Sequence, residues 1–321
     1  DGSGIKMKKY ILKRLLLLIP ILFGITFLSF ALMHAAGSDA VLQQIDASGV
    51  ALSQEVIDAR RAELGLDRPF LVQYISWLGD FLTGDLGVSY VSGEDVFRSF
   101  LSRLPATLLL TGTSVVLTVA ISIPLGILAA VKQNRFIDYL IRVCSFVGNS
   151  LPNFFVALLL MYLFSVLFPV FPVIAEGTDL RSAALPSLTL AIAMSARYLR
   201  QMRAAVLNEL DQPYVLAAKA RGIRFSVTLW KSVLRSCLVT ILTLLALSVG
   251  SLLGGTAIVE NIFMWDGVGK LAVDAISMRD YPVIQAYVVW MAVIYVAVNL
   301  VTDILYHILD PRIRLGGEQQ S

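Results

Sequence analysis

The sequence is short of charge. Only 15% of its 321 residues are Asp, Glu, Lys or Arg, where an ordinary soluble domain has about a quarter. A chain of this length that folds in water must cover its surface with polar side chains, and here they are missing. Cysteine is nearly absent: Cys144 and Cys237 are the only two, too few for a disulfide-stapled scaffold. Histidine is limited to His34 and His307. No HExxH run and no Cys/His cluster at zinc spacing occurs, so the usual metal-assisted hydrolases are excluded. The net charge is only +3, which gives no footprint for nucleic acid. What the chain has is apolar: 57% hydrophobic residues and a mean hydropathy of +0.76. That excludes disorder and predicts an all-α integral membrane protein.

Six apolar runs are long enough to cross a bilayer, which takes about 20 residues. They are 15–36, 107–131, 139–168, 183–199, 237–259 and 282–308. The runs are continuous rather than alternating, which predicts helices and not barrel strands. Run 183–199 is the weakest, because Arg197 falls near its end. Pro20, Pro124 and Pro152 sit inside runs, where neighbouring helices re-satisfy the freed carbonyls. Residues 1–6 (DGSGIK) precede Met7 and read as the remnant of an expression tag. Residues 7–36 then form a basic tail and an uncleaved first span, since the run is too long for a signal peptide's apolar region. Residues 37–106 form an extracytoplasmic loop with short helices. Residues 107–308 form the core of the other five spans, with an inner loop at about 200–235. Residues 309–321 form a cytoplasmic tail.

Charge sidedness orients these spans. With a cytoplasmic N-terminus, the inner segments hold 18 of the 26 cations and the outer segments 16 of the 23 acids. Inner segments sum to +11 and outer segments to −8. Lys and Arg near span ends set orientation, so N-in and C-in are expected. The anionic outer side favours a cation or a basic partner surface over an anionic solute.

Two loops carry structure. In 37–106, Ser53 can cap a helix that ends at Gly65, and Pro69 can start another. On the second, Phe70, Tyr74, Trp77, Leu78, Phe81 and Leu82 recur at helical spacing. That face either packs on the protein's own outer ends or lies on the membrane interface. In the inner loop, Asp211 can cap, Pro213 can start and Gly222 can end a short Ala-rich helix. It is either a docking knob for a partner's groove or a passive surface helix.

The remaining motifs are weak. Gly267-Val268-Gly269-Lys270 lacks the glycine that a phosphate loop needs five residues before Gly269, where Met264 stands. Asp303 and Arg197 are the candidate intramembrane charges, both near inner ends. No coupling ion is evident, so the energy would have to come from a partner. An ion-coupled secondary carrier, the competing class, predicts midplane carboxylates and an inverted repeat, and no convincing repeat is seen. Gly250, Gly254 and Gly255 mark one face of the fifth span, for helix packing or a pore wall. Cys144 and Cys237 read as packing residues.

The inner-loop pattern Ala217-Ala218-x-x-x-Gly222 resembles the EAA loop of ABC importer permeases. Nearly the whole chain after Met7 is similar to the B-type permease of the peptide/nickel importer family. The matching stretches are LGLDRPFLVQY (64–74), GDLGVSY (84–90), LPATL (104–108), PLGILAA (124–130), SLPNFF (150–155), YVLAAKARG (214–222), ENIFMWDGVGK (260–270), RDYPVIQ (279–285) and DPRIR (310–314).

The resemblance implies a type I importer half-pore of six helices in a bacterial or archaeal inner membrane. Its implied partners are a second homologous permease, two cytosolic ATPases, an extracytoplasmic binding protein and membrane lipid. ATP and Mg would sit on the ATPases, with no cofactor bound by this chain and no catalytic residue in it. Tyr214, Ala217, Ala218, Lys219, Arg221 and Gly222 would form the coupling helix, with the two alanines as the small-residue contact. Pro152 and Asn153, with the three glycines, would be pore or packing residues. Glu260, Asp266 and Asp280 would be outer-face residues. The chain departs from the family at Leu216, where the motif has Glu, and at Asp266, where Pro is usual. It also departs near Thr240, where a proline is expected, which puts a kink at the start of the fifth span in doubt. The short loop 169–182, Asn153 after Pro152, 260–263 and 309–311 lean towards nickel or a nickel chelate as solute. Di- or oligopeptides are the alternative. No metal-ligand set emerges from spacing.

Overall fold

The computed structural model describes residues 2–35, 53–63, 65–175, 177–237, 241, 245, 252 and 256–309. They are overwhelmingly helical. The elements are α1 (Gly2–Ala35), α2 (Gln54–Glu63), α3 (Phe70–Thr83), α4 (Val96–Val131), α5 (Phe136–Ser150) and α6 (Asn153–Met161). Then come α7 (Leu180–Leu210), α8 (Pro213–Ala220), α9 (Phe225–Thr228), α10 (Ala257–Ile262), α11 (Val268–Met278) and α12 (Tyr281–Leu309). Helices α6 and α9 run on as π-turns, Tyr162–Leu167 and Leu229–Val233. Among the described residues the extended pairing is a single bridge, Val88 to Asp95.

Length and apolarity alone qualify two described helices as spans, α4 and α12 over Tyr281–Val301. The expected run 139–168 is not one straight helix. It breaks at Leu151-Pro152, and its two halves are bent by 103°. The cause is local. Proline has no N–H to donate and forces the residue before it out of the helical region; Leu151 lies at ψ 133° and Pro152 at ψ 141°. Counted as one bent span, this pair makes three. Helix α7 is long enough at 31 residues but carries Arg197, Arg200, Arg203 and Glu209 in its second half. It continues the expected span 183–199 straight to Leu210, so residues 200–210 are helix rather than loop. Run 237–259 falls largely outside the described residues.

The chain divides into two compact units. The first comprises residues 1–107 and 266–296. Its core gathers Leu86, Val96, Ala275, Val283 and Ala286, ringed by Phe81, Phe97 and Trp290. Phe100 stacks on Trp290 at 4.9 Å. Along α1, Phe23, Phe27, Phe30 and His34 meet Phe70, Tyr74 and Trp77 of α3 in a run of ring contacts. The aromatic face of α3 therefore packs on the protein itself, the first of the two alternatives for it.

The second unit comprises 108–265 and 297–321. Helix α7 is its axis, with α5, α6 and α10 packed against it. Asp179 caps α7 by accepting from the Ser182 N–H at 2.9 Å. Helix α4 approaches it closely at Gly126, where an added Cβ would meet the Met202 Cβ at 2.7 Å and the Leu199 carbonyl at 3.1 Å. Nothing larger than hydrogen fits there without backbone movement.

Candidate functional site

Helix α8 is two turns long and is set off from α7 by a two-residue turn. Asp211 closes α7 rather than capping α8; Gln212 occupies the N-cap, with no side-chain cap bond. Pro213 starts the helix, where a missing N–H costs nothing. The end is built as expected. Gly222 has φ +72°, its N–H donates to the Lys219 carbonyl at 3.0 Å, and the Ile223 N–H reaches Ala218 at 3.1 Å. A left-handed residue of this kind is the usual way a helix stops and its last carbonyls are satisfied.

The two alanines part company. Ala218 is 6% exposed and faces the protein, whereas Ala217 is exposed. Tyr214, Leu216, Lys219, Ala220, Arg221 and Gly222 are exposed as well. Leu216, in the place of the motif's Glu, is 68% exposed, and Ile223 and Phe225, just past the helix, are exposed apolar residues too. A small, apolar, cation-rimmed knob results. Tyr214 donates to Glu209 Oε2 at 2.8 Å and so ties α8 to the end of α7. Partial burial, with the Glu209 carboxylate beside it, pushes the phenol up to about 12.

The knob is anchored in a cluster that joins three segments. Val215 packs on a core made of Ile127 and Ala130 from α4, Met202 and Val206 from α7, and Leu229, Val233 and Cys237 beyond α9. A push on α8 is therefore borne by these segments together.

A second feature beside it was not foreseen. Asp138, at the start of α5, is fully buried and accepts from Arg203 Nε and Nη2, both at 2.8 Å. The Asn134 N–H donates to it at 2.9 Å, and Arg142 Nε stands 3.6 Å away. The Arg203 guanidinium, more than these others, holds the Asp138 carboxyl below its ordinary range. Two-pronged pairs of this kind fix geometry as well as charge. The clasp locks the 132–135 turn and α5 to α7. The sequence holds one hint, a lone acid in an otherwise cationic inner segment, but its partner lies 65 residues away.

The other candidates fall apart by location. Pro152 and Asn153 are exposed at the α5–α6 bend. Gly250, Gly254 and Gly255 lie outside the described residues. Glu260 offers no outer surface: it is fully buried and accepts from the Thr256 hydroxyl at 2.9 Å. Asp280 is 4% exposed and accepts from the Ser89 hydroxyl and, at 3.1 Å, the Tyr90 N–H. It fastens the 84–95 loop to the turn before α12. Both are structural carboxylates in this chain, a correction to their outer-face reading. Only Asp266 is exposed, paired with Arg103 at 2.9 Å. Gly267–Lys270 forms the start of α11, with the Val268 N–H on Thr107 Oγ1 at 2.8 Å.

Comparison with known proteins bears on all of this. The family described as the binding-protein-dependent transport system inner membrane component matches residues 122–315. The N-terminal family of the same membrane components matches residues 7–111. The oligopeptide transport system permease protein AppB of Bacillus subtilis (strain 168) is 41% identical over 317 residues, covering 96% of this chain and 99% of the relative. The glutathione transport system permease protein GsiC of Escherichia coli (strain K12) is 38% identical over 308 residues, with 96% and 99% covered. A chain of the MetNI methionine ABC transporter in an inward-facing form shares the fold, with a TM-score of 0.54. That match has 16% identity and covers 68% of this chain and 99% of the other. The chain accordingly has a type I importer permease fold, and it belongs to the binding-protein-dependent transport system inner membrane components, the permease subunits of ABC importers, which are not themselves ATPases.

Proposed function

We propose that this chain forms half of the translocation pore of a peptide importer and that α8 is its coupling helix. The observation that carries the solute class is the end-to-end similarity to an oligopeptide and a glutathione permease. This displaces the lean towards nickel, which rested on a short loop and a few residue choices. Among the described residues no three His, Cys, Asp or Glu side chains come together as a metal cluster.

The coupling role is supported by shape. A two-turn helix with Leu216 and Ala217 turned outwards fits a groove, and the Lys219 and Arg221 cations at its end suit an acidic rim. Two cytosolic ATPases would receive this helix and its counterpart on a second permease. Closure of the ATPase pair on ATP would draw α8 with it. The Val215 contact would pass that movement to α4, α7 and the segment after α9, and the Asp138–Arg203 clasp would carry α5 along. Such rigid-body rocking is a known way to alternate access. An N-in, C-in orientation, as expected from the charge sidedness, would put α8 on the ATPase side, and a binding protein would deliver solute to the opposite face.

Uptake tests this directly. The assembled importer in proteoliposomes, with ATP inside and binding protein outside, should accumulate a labelled oligopeptide and leave labelled nickel outside. Nickel accumulation without peptide accumulation would overturn the solute class.

A further inference from the structure

We propose that α3 is sunk into the membrane, with its free apolar stripe against lipid acyl chains in the half of the bilayer remote from Arg14. The starting point is depth. The cations Lys13 and Arg14 mark one edge of the first apolar run, at Leu15. At about 1.5 Å per residue, Phe27 to His34 lie roughly 18–28 Å further along α1, inside a hydrocarbon core about 30 Å thick. These are the residues that α3 rests on: Phe27 and His34 touch Phe70, and Phe30 touches Trp77.

A polar pair is compatible with this depth. Tyr74 and Thr26 are each 2% exposed, and their hydroxyls lie 2.9 Å apart. Thr26 is about 16 Å from Leu15 along the helix, close to mid-membrane. The Thr26 hydroxyl also donates to the Phe23 carbonyl at 3.0 Å, so the pair is satisfied within the protein, as such a dry place requires.

Helix α3 then has three faces. The aromatic one meets α1. A polar one, with Gln73, Ser76 and Asp80, lines a cavity of about 240 Å³ together with Arg68, Tyr90 and Gln285. The third carries Leu71, Ile75 and Leu82, which are 59%, 66% and 76% exposed, with Val72 beside them. Spaced at four and seven residues, they form one uncharged stripe. A helix that turns one apolar side to acyl chains and its polar side to the protein has this pattern. The exposed flank of α1, with Leu28 and Leu32 at 59% and 62%, continues the same surface. Lipid is the occupant that fits both.

The proposal rests on α1 being a membrane span. A nitroxide label at Ile75→Cys, in a Cys144→Ser background, tests it in the assembled importer. The host is vesicles of phosphatidylethanolamine and phosphatidylglycerol. Cys237 is buried and stays unlabelled. Collision with oxygen should exceed collision with a water-soluble nickel chelate several-fold, as at Leu28→Cys on α1. Leu71→Cys should repeat the result, and Ser76→Cys should not. A nickel-accessible label at Ile75 would put the stripe in water. Low access to both probes would put it under a protein partner. Either overturns the proposal. A nickel-accessible label at Leu28 would instead remove α1 as a span, and the proposal with it.

Discussion

Two stretches that carry the family resemblance end in opposite surroundings. Residues 260–270 are folded mostly inwards: Glu260 and Trp265 are fully buried and Val268 is 3% exposed, with Met264 and Asp266 left outside. Residues 214–222 are turned outwards, with Ala218 alone buried among them. The difference teaches that a family motif is not in itself a contact surface. In the first stretch the side chains fill the fold. In the second, most side chains face away from the fold, which is what the proposed coupling role requires. The two should respond to mutation in opposite ways.

The largest effects belong to the buried features. Trp265→Ala should cost about 3–5 kcal/mol, since the emptied volume cannot refill, read as a shifted unfolding midpoint in mixed micelles. Arg203→Ala should cost a similar amount by leaving Asp138 buried without its main counter-charge, and the double variant with Asp138→Ala should recover part of it. The pH dependence has a definite sign. Asp138's folded pKa lies below its ordinary 3.8, so the carboxylate stabilises the fold above that value. The contribution is lost only as pH falls through the lowered folded pKa. In Arg203→Ala the main lowering influence is gone and burial raises the Asp138 carboxyl, so the variant relieves its cost by taking up a proton, and the gap to wild type should narrow as pH falls while wild type stays ionised.

Smaller effects separate the two faces of α8. Ala218→Leu should cost about 1–3 kcal/mol by overpacking. Gly222→Val should cost about 1–2 kcal/mol, because its φ of +72° is unfavourable for a residue with a Cβ. Ala217→Arg should move stability by less than about 0.5 kcal/mol while ATP-driven peptide uptake collapses at unchanged membrane levels. Normal uptake by Ala217→Arg would merge the two kinds of motif again.

Much of this was legible beforehand, and the reasons differ by element. Helices α4 and α12 declare themselves, because a long apolar run has no other stable form in lipid. Pro152 was visible, but its effect depends on what surrounds it: a tolerated proline and a 103° break look alike in one dimension. Helix α7 hides its length, since Arg203, which pairs inside the fold, and the exposed Arg197 and Arg200 all look like loop charges in the sequence. The Asp138–Arg203 clasp joins residues whose meeting follows only from packing α5 on α7. For α8 the start, length and end followed from Pro213 and Gly222. Its buried side, not separated from the contact face in the sequence reading, follows helical periodicity: Val215 and Ala218, three apart, share a face, while Ala217 points about 100° away from Ala218.

The most direct test places a photo-reactive amino acid at Leu216 in the assembled importer. An outward-facing coupling helix predicts a cross-link to the ATPase subunit, and none to it from position 218. Adducts at 216 with lipid or with the second permease, and none with the ATPase, would contradict it.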